Sequence, residues 1–372
     1  MRCFVCLFAC LCSGVAAAAG LPEAVLPQGV GVNIHFTRGH ERDLDMIAAA
    51  GFKFIRMDFS WSATERSIGQ YDFSAYDELT DGLAERGIRP LYILDYSNAL
   101  YEATITAVDP ISGSARRSVR SPQRPESVAA FARWAGAAAA HFRDRGVVWE
   151  IWNEPNIGFW KPEPNVDQYI ALARATCGEI RQNDPHATIV APASSAFPWE
   201  FFERLFASGI LEQIDAVSVH PYRGSPPETA TADYLRLRAL IARCAPPERR
   251  SLPILSGEWG YSTNTDGIPL ARQAEYLARQ QLINLLCDVR LSIWYDWVND
   301  GPDPHEREHN FGTVANDRTP KPSYVAVQTL TRELAGYRIA RRGSARGRRG
   351  GSIDGGDLRH SQGGGAARWG DY

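Results

Sequence analysis

Two glutamates stand where a carboxylate needs a reason to be. Glu154 closes the stretch WEIWNEPN at residues 149–156, and Glu258 sits inside LSGEWG at 255–260. Each follows an apolar run of strand length. A carboxylate placed so is costly unless it is paired or put to use. Two such groups suit the cleavage of a glycosidic bond. The leaving oxygen of that bond is a poor leaving group, and the anomeric carbon must become oxocarbenium-like. One carboxylic acid must therefore protonate the leaving oxygen. A carboxylate opposite must attack the carbon or activate water. A separation of about 5–5.5 Å allows direct attack with retention, and about 6.5–9.5 Å leaves room for water and gives inversion.

Elements must bring these two residues together. Eight apolar runs read as strands: 29–36, 52–59, 88–96, 147–155, 188–195, 214–222, 253–261 and 290–298. Continuous apolar runs fit parallel strands covered on both faces. Helical segments alternate with them at 41–51, 76–87, 125–146, 165–184, 198–206, 232–245, 269–288 and 321–334. Several carry apolar residues at i, i+3, i+4 and i+7. Gly51, Gly87 and Gly146 read as C′ stops before a strand. The alternation predicts an α/β fold, a (β/α)8 TIM barrel forming a single catalytic domain. A doubly wound open sheet would want a glycine-rich phosphate turn after the first strand, and NIHFTRGH has none. In a barrel, functional residues gather at the C-terminal ends of the strands. Glu154 ends strand four and Glu258 strand seven, on roughly opposite sides of the ring, so the two can face one another.

The 372 residues carry 40 basic and 43 acidic side chains, a net −3, with 44% hydrophobic residues. That composition excludes wholesale disorder, collagen and coiled coil, and its charge gives no reason to expect nucleic acid or stable membrane insertion. Residues 1–20 read as a secretory signal peptide: Arg2, an apolar stretch from Phe4 to Cys12, and the small residues Ala17 to Ala19. The expectation is export to a periplasm or beyond. The barrel is placed at 21–340. Residues 341–372 hold 7 Arg, 3 Asp and 10 Gly and read as a disordered tail.

The motifs GVNIHF, IRMDFSWS, WEIWNEPNIGFWKP, SVHPY, SGEWGYST and NFGTV…TPKPSY, in this order, resemble the clan A retaining glycoside hydrolases. They are most similar to family 39, notably its bacterial members linked to exopolysaccharide cleavage. The resemblance covers about residues 28–335. It implies a polysaccharide or oligosaccharide substrate with β-linkages, no cofactor and no metal. It makes Glu154 the general acid/base and Glu258 the nucleophile. Asn153 would bond the sugar 2-hydroxyl, or else simply form a turn. Arg56 would hold the nucleophile ionised, or else pair structurally with Asp58 or Glu150. His220 and Tyr222 would reach nucleophile and sugar, with a satisfied core histidine as the alternative, and His35 is similar. Trp160, Trp259, Trp294 and Trp297 are candidate sugar platforms or packing, Trp297 fitting the family pattern best and Trp160 a flanking subsite. Family 39 members commonly carry a β-rich domain after the barrel, where this sequence has its Gly/Arg stretch. The segment from Tyr96 to Ser121 reads as a rim loop.

Two rivals are weighed. His305-Glu306-Arg307-Glu308-His309 formally matches H-E-x-x-H, which would make a zinc hydrolase if it were helical, but Pro302 and Pro304 precede it and Gly312 follows. A non-catalytic carbohydrate-binding barrel would usually lose one carboxylate, and both are kept. Beyond the leader, Cys177, Cys244 and Cys287 remain, and Cys244 and Cys287 are positioned for one bridge.

Overall fold

The computed structural model describes residues 20–346, 352–361 and 366–369, so the leader read at residues 1–20 lies outside them save for Gly20. Eight strands close into a barrel: β1 (Val30–Asn33), β2 (Phe54–Ser60), β3 (Arg89–Asp95), β4 (Val148–Ile151), β5 (Thr188–Ser195), β6 (Ala216–His220), β7 (Ile254–Trp259) and β8 (Val289–Trp294). Each pairs in parallel with its sequence neighbours, and β8 closes on β1. Outside run α1 (Glu41–Ala49), α2 (Ser74–Glu85), α3 (Pro125–His141), α4 (Val166–Asn183), α5 (Trp199–Ala207), α6 (Thr231–Cys244), α7 (Leu270–Leu286) and α8 (Pro322–Glu333). Every strand and helix read from the pattern is present. No helix among the described residues is long and apolar enough to cross a membrane.

Local chemistry sets the helix ends. Asn165 caps α4, its side chain accepting from the N–H groups of Asp167 and Gln168 at 3.1 Å each. Gly51 and Gly87 stand one residue past the caps of α1 and α2 with φ of +84° and +64°, as expected. Gly146 does not cap α3, which ends at Phe142; it takes its φ of +72° in the turn into β4.

Strand alternation divides the barrel interior into layers. Phe54, Leu91, Ile93, Val148, Val190, Ala216, Leu255, Leu291 and Ile293 form a closed apolar plug. Two residues further along several strands the inward position turns polar: Phe54 is followed by Arg56, Val148 by Glu150, Ala216 by Ser218 and then His220. Beyond Leu255 comes Gly257, where a Cβ would lie 2.4 Å from Ser218 Oγ and 2.9 Å from Glu150 Oε1. A glycine there makes room for the polar layer, which floors the site.

Two readings are corrected here. The stretch 341–372 is not simply disordered: strands Tyr337–Arg346, Ser352–His360 and Ala366–Trp369 form an antiparallel sheet. Composition undervalued it because a ladder is held by backbone hydrogen bonds. The sheet is also anchored to the barrel: Leu26 N–H donates to Tyr337 O at 2.8 Å, Gly336 N–H to Leu26 O at 2.7 Å, and Leu358 is buried. No disulfide joins Cys244 and Cys287. Both close their helices at one end of the barrel, yet Cys287 is buried with its sulfur 4.0 Å from Thr231 Oγ1, and Cys244 is only part-buried.

Candidate active site

Arg56 organises the polar layer. Its Nε donates to Glu150 Oε2 at 2.7 Å, Nη1 to Glu258 Oε2 at 2.5 Å and to Asn33 Oδ1 at 3.4 Å, and Nη2 to Asn153 Oδ1 at 2.8 Å. Burial opposes its charge, but Glu150 and Glu258 outweigh that and hold it firmly protonated. Glu150 is fully buried and also accepts from Ser218 Oγ at 2.5 Å. The two functions weighed for Arg56 therefore coexist: it neutralises a buried structural carboxylate and grips Glu258.

Glu258 owes its aim to a strand defect. The pairing of β7 with β8 runs Ser256↔Ser292 and then Trp259↔Trp294, so three steps on β7 oppose two on β8. This extra residue is a bulge, which re-aims a side chain. Gly257 and Glu258 thus both reach the interior side while Trp259 packs outward, fully buried. Tyr222 hydroxyl donates to Glu258 Oε1 at 2.7 Å. With Arg56 on Oε2, both oxygens are held.

Glu154 is placed by a second irregularity. The ladder of β5 with β6 steps from Pro192↔Ser218 to Ser194↔Val219, leaving Ala193 as the extra residue, with φ of +54°. The Ala193 carbonyl accepts from Glu154 N–H at 2.9 Å. Trp152 and Glu154 themselves adopt left-handed φ of +66° and +45°, a strained conformation for side chains of this size. The carboxyl of Glu154 contacts His220, with Nδ1 3.0 Å from Oε1. Burial pushes Glu154 up to about 7, against the smaller opposing pull of Ser195 and Arg56. Burial likewise pulls His220 down to about 4, aided by Arg56 and opposed by Glu258 and Glu150, so it stays neutral.

Both glutamates open into one cavity of about 550 Å³, a size suited to a small ligand or one end of a chain. Asn33, His35, Asp58, Asn153, Tyr222 and Tyr295 line its polar part, and Ile157, Phe159, Pro110, Ile111 and Phe311 its apolar part. Asn33 Nδ2 lies 2.8 Å from His35 Nε2, and His35 Nδ1 lies 3.1 Å from Asp300 Oδ1. Burial opposes a charge on His35, but Asp300 and Asp296 outweigh it and raise the imidazole to about 9. His35, Asp296 and Asp300 hold atoms of metal-ligating type within 4.8 Å of one another, but Asn33 and Asp300 already occupy both ring nitrogens of His35.

The structure thus gathers Glu154, Glu258, Asn153, Arg56, His220, Tyr222 and His35 at one rim. The tryptophan platforms are not there. Trp160 is fully buried against Trp152 at 5.1 Å, its Nε1 donating to Gln168 at 2.9 Å. Trp297 is fully buried, donating to Asp43 at 2.8 Å, and Trp259 and Trp294 are buried too. Trp259 and Trp294 end β7 and β8, Trp297 follows β8 and Trp160 lies in the loop after β4, each where a large ring packs into the core. In place of Trp160 its neighbour Phe159 lines the cavity, stacked on Tyr96 with centroids 5.9 Å apart. Phe159 stands inside the WEIWNEPNIGFWKP motif, but nothing in sequence says which neighbour of a Phe-Trp pair faces in. Trp160→Ala is expected to cost about 3–5 kcal/mol of stability through the lost core ring. Phe159→Ala is expected to leave stability almost intact and raise KM severalfold; melting and initial-rate measurements on both variants check the assignment. Tyr295, in SIWYDWV, and Asp58, in IRMDFS, also line the cavity and were not singled out.

The His305–His309 segment is not a helix able to present two histidines on one face. It is a turn followed by a single 3-10 turn, Glu308–Asn310, and it contributes Glu306, Arg307 and Glu308 to the cavity edge.

A closed parallel barrel that sets two carboxyls on one cavity, one raised by burial and one gripped by Arg56 and Tyr222, is the frame of the clan A glycoside hydrolases. The family described as cellulase (glycosyl hydrolase family 5) matches residues 23–300, and the chain belongs to it. Relatives include a β-xylosidase of Geobacillus stearothermophilus, 28% identical over 51% of this chain and 43% of its own length. A β-xylosidase of Caldicellulosiruptor saccharolyticus is 23% identical over 78% of this chain and 63% of its own. The matched part thus falls short of two thirds of either relative. In fold, a family 39 glycoside hydrolase from Bacteroides cellulosilyticus WH2 superposes with a TM-score of 0.77 at 23% identity, covering 95% of this chain and 72% of its own.

Proposed function

We propose that this protein is a retaining glycosidase that cleaves β-linked polysaccharides or oligosaccharides by double displacement. The observation that carries the reading is the opposite treatment of two carboxyls on one cavity. Glu154 is raised to about 7 by burial, and Glu258 is held by Arg56 at 2.5 Å and Tyr222 at 2.7 Å. These different surroundings support Glu154 as the acid and Glu258 as the nucleophile.

In the first step a Glu258 oxygen forms a bond to the anomeric carbon. The bond from that carbon to the leaving oxygen breaks, and Glu154 transfers its proton to the departing oxygen. The product is a glycosyl ester on Glu258 and an ionised Glu154. In the second step Glu154 takes a proton from water as the water oxygen attacks the anomeric carbon and releases Glu258. Two inversions return the original configuration. Asn153, whose Oδ1 accepts from Arg56 Nη2 at 2.8 Å, would bond the sugar 2-hydroxyl. Neutral His220, its Nδ1 3.0 Å from Glu154 Oε1, positions the carboxyl. It does so without adding a positive charge that would draw the proton off early.

Export to a periplasm or beyond is part of this proposal and rests on the N-terminal sequence alone. A non-catalytic carbohydrate-binding barrel is the second reading, and the retention of both carboxylates speaks against it. Proton NMR of the first-formed product from an aryl β-glycoside tests the proposal. The β-anomer should appear first and mutarotate later; an α-anomer, or no hydrolysis across a panel of β-glycosides, overturns it.

A further inference from the structure

The segment between Tyr96 and Ser121 is not an irregular loop. Its strands Thr104–Val108 and Ala115–Val119 pair antiparallel from Thr104↔Val119 to Val108↔Ala115. The turn between them is internally satisfied. Asp109 Oδ1 accepts from the N–H groups of Ile111 and Ser112 at 3.1 and 2.8 Å and from Ser112 Oγ at 3.0 Å. The tip nevertheless presents apolar side chains to water, with Val108 61% and Ile111 58% exposed.

This tip stands over the loop that carries Glu154. A Cβ on Gly158 would lie 3.3 Å from Pro110 Cβ, so hairpin and loop touch through a gap that glycine leaves open. Pro110 and Ile111 line the cavity beside Ile157 and Phe159 of that loop. Phe159 in turn stacks on Tyr96, which packs edge-on against Trp152 at 5.6 Å. These four cavity residues have side chains without a hydrogen-bonding atom. Apart from Phe311 the remaining lining is polar: Asn33, His35, Asp58, Asn153 and Tyr222 around Glu258, and Ser195 beside Glu154, can each bond a hydroxyl.

The asymmetry has a chemical direction. The acid must touch the leaving oxygen, so the wall built on the acid's own loop is the wall the leaving group meets. The glycone, attacked by Glu258, lies toward the polar side. A sugar in the leaving position gains no hydrogen bond from these four side chains, whereas an apolar alcohol set against them is removed from water. We infer that Pro110, Ile111, Ile157 and Phe159 form a leaving-group subsite for an apolar alcohol, so that for a given glycone the alkyl and aryl β-glycosides are preferred and the oligosaccharide of the proposed function is the glycone. This inference rests on the assignment of Glu154 as the acid.

Methyl and octyl β-glycosides of one glycone test it. Their leaving alkoxides are of similar basicity, so the chemical step is matched and the ratio of kcat/KM reports contact with the chain. Each methylene taken from water is worth about fourfold in affinity. Partial burial of an octyl chain should therefore favour the octyl glycoside by about fiftyfold or more. Ile111→Ser is expected to cut that ratio at least fivefold, and a Pro110→Ser/Ile111→Ser double variant further still, with unchanged circular dichroism spectra. A wild-type ratio near one overturns the inference, as does a ratio that the variants leave unchanged or a disaccharide cleaved faster than the octyl glycoside. The glycosidase assignment survives those results, because methyl glycoside turnover is then still seen. Failure to hydrolyse any of these glycosides removes both.

Discussion

Glu258→Ala is expected to lose on the order of 10³-fold or more in kcat, because it removes the atom that forms the covalent bond. The loss should be nearly complete for natural leaving groups and aryl glycosides alike, since neither can bypass the missing nucleophile. The structure adds a way to separate chemistry from collapse. Glu258 is one of two carboxylates on Arg56; Glu150, fully buried at 2.7 Å, remains to balance the guanidinium when Glu258 is gone. The variant should therefore fold. Azide, small enough to enter the space vacated, should restore turnover and yield the α-glycosyl azide, since one inversion replaces two. Steady-state kinetics with and without azide check this. A loss below tenfold, or an inactive protein that is also unfolded, counts against the nucleophile assignment.

Glu154→Gln carries the second large effect, again on the order of 10³-fold in kcat for substrates with poor leaving groups. Here the pH profile is the sharper reading. The acid works only when protonated, and burial raises it to about 7. Wild-type kcat/KM should therefore fall as pH rises through about 7, the basic limb of a bell whose two values belong to the coupled pair. Glu154→Gln should lose that limb, since no proton remains to titrate there. Activated aryl glycosides, which need little protonation, should suffer least at the glycosylation step. A wild-type profile flat to pH 9 contradicts the assignment.

The same two buried groups act on stability with opposite signs. Glu154 binds its proton more tightly in the folded protein, so between about 4.5 and 7 its contribution weakens as pH rises. His220 binds its proton less tightly when folded, so between about 4 and 6.5 its contribution strengthens as pH rises. The two shifts oppose each other across most of one window. A side chain that keeps the acid protonated is thus set beside one that refuses a proton.

Much of this arrangement was legible in the residues. Strand and helix order followed from apolar runs and their spacing, because a parallel strand covered on both faces must be apolar throughout. Glu154 and Glu258 stood out because a carboxylate at such a strand end has few other uses. Arg56, Asn153, His220 and Tyr222 followed by position. What escaped depends on single-residue shifts. The bulges at Ala193 and between Ser256 and Trp259 turn Glu154 and Glu258 inward, and no propensity marks them. The same ambiguity of phase put Trp160 in the core and Phe159 on the cavity. The terminal strands were missed because glycine and arginine say little about backbone pairing.

The most direct test of two carboxylates sharing one substrate is to trap the covalent intermediate. A 2-deoxy-2-fluoro β-glycoside with a good leaving group slows both steps by destabilising the oxocarbenium-like transition state, and the leaving group lets the first step still proceed. Peptide mass spectrometry of the inactivated protein should find one added fluoroglycosyl unit per chain, on Glu258. An unlabelled active protein, or a label on any other residue, would contradict the account.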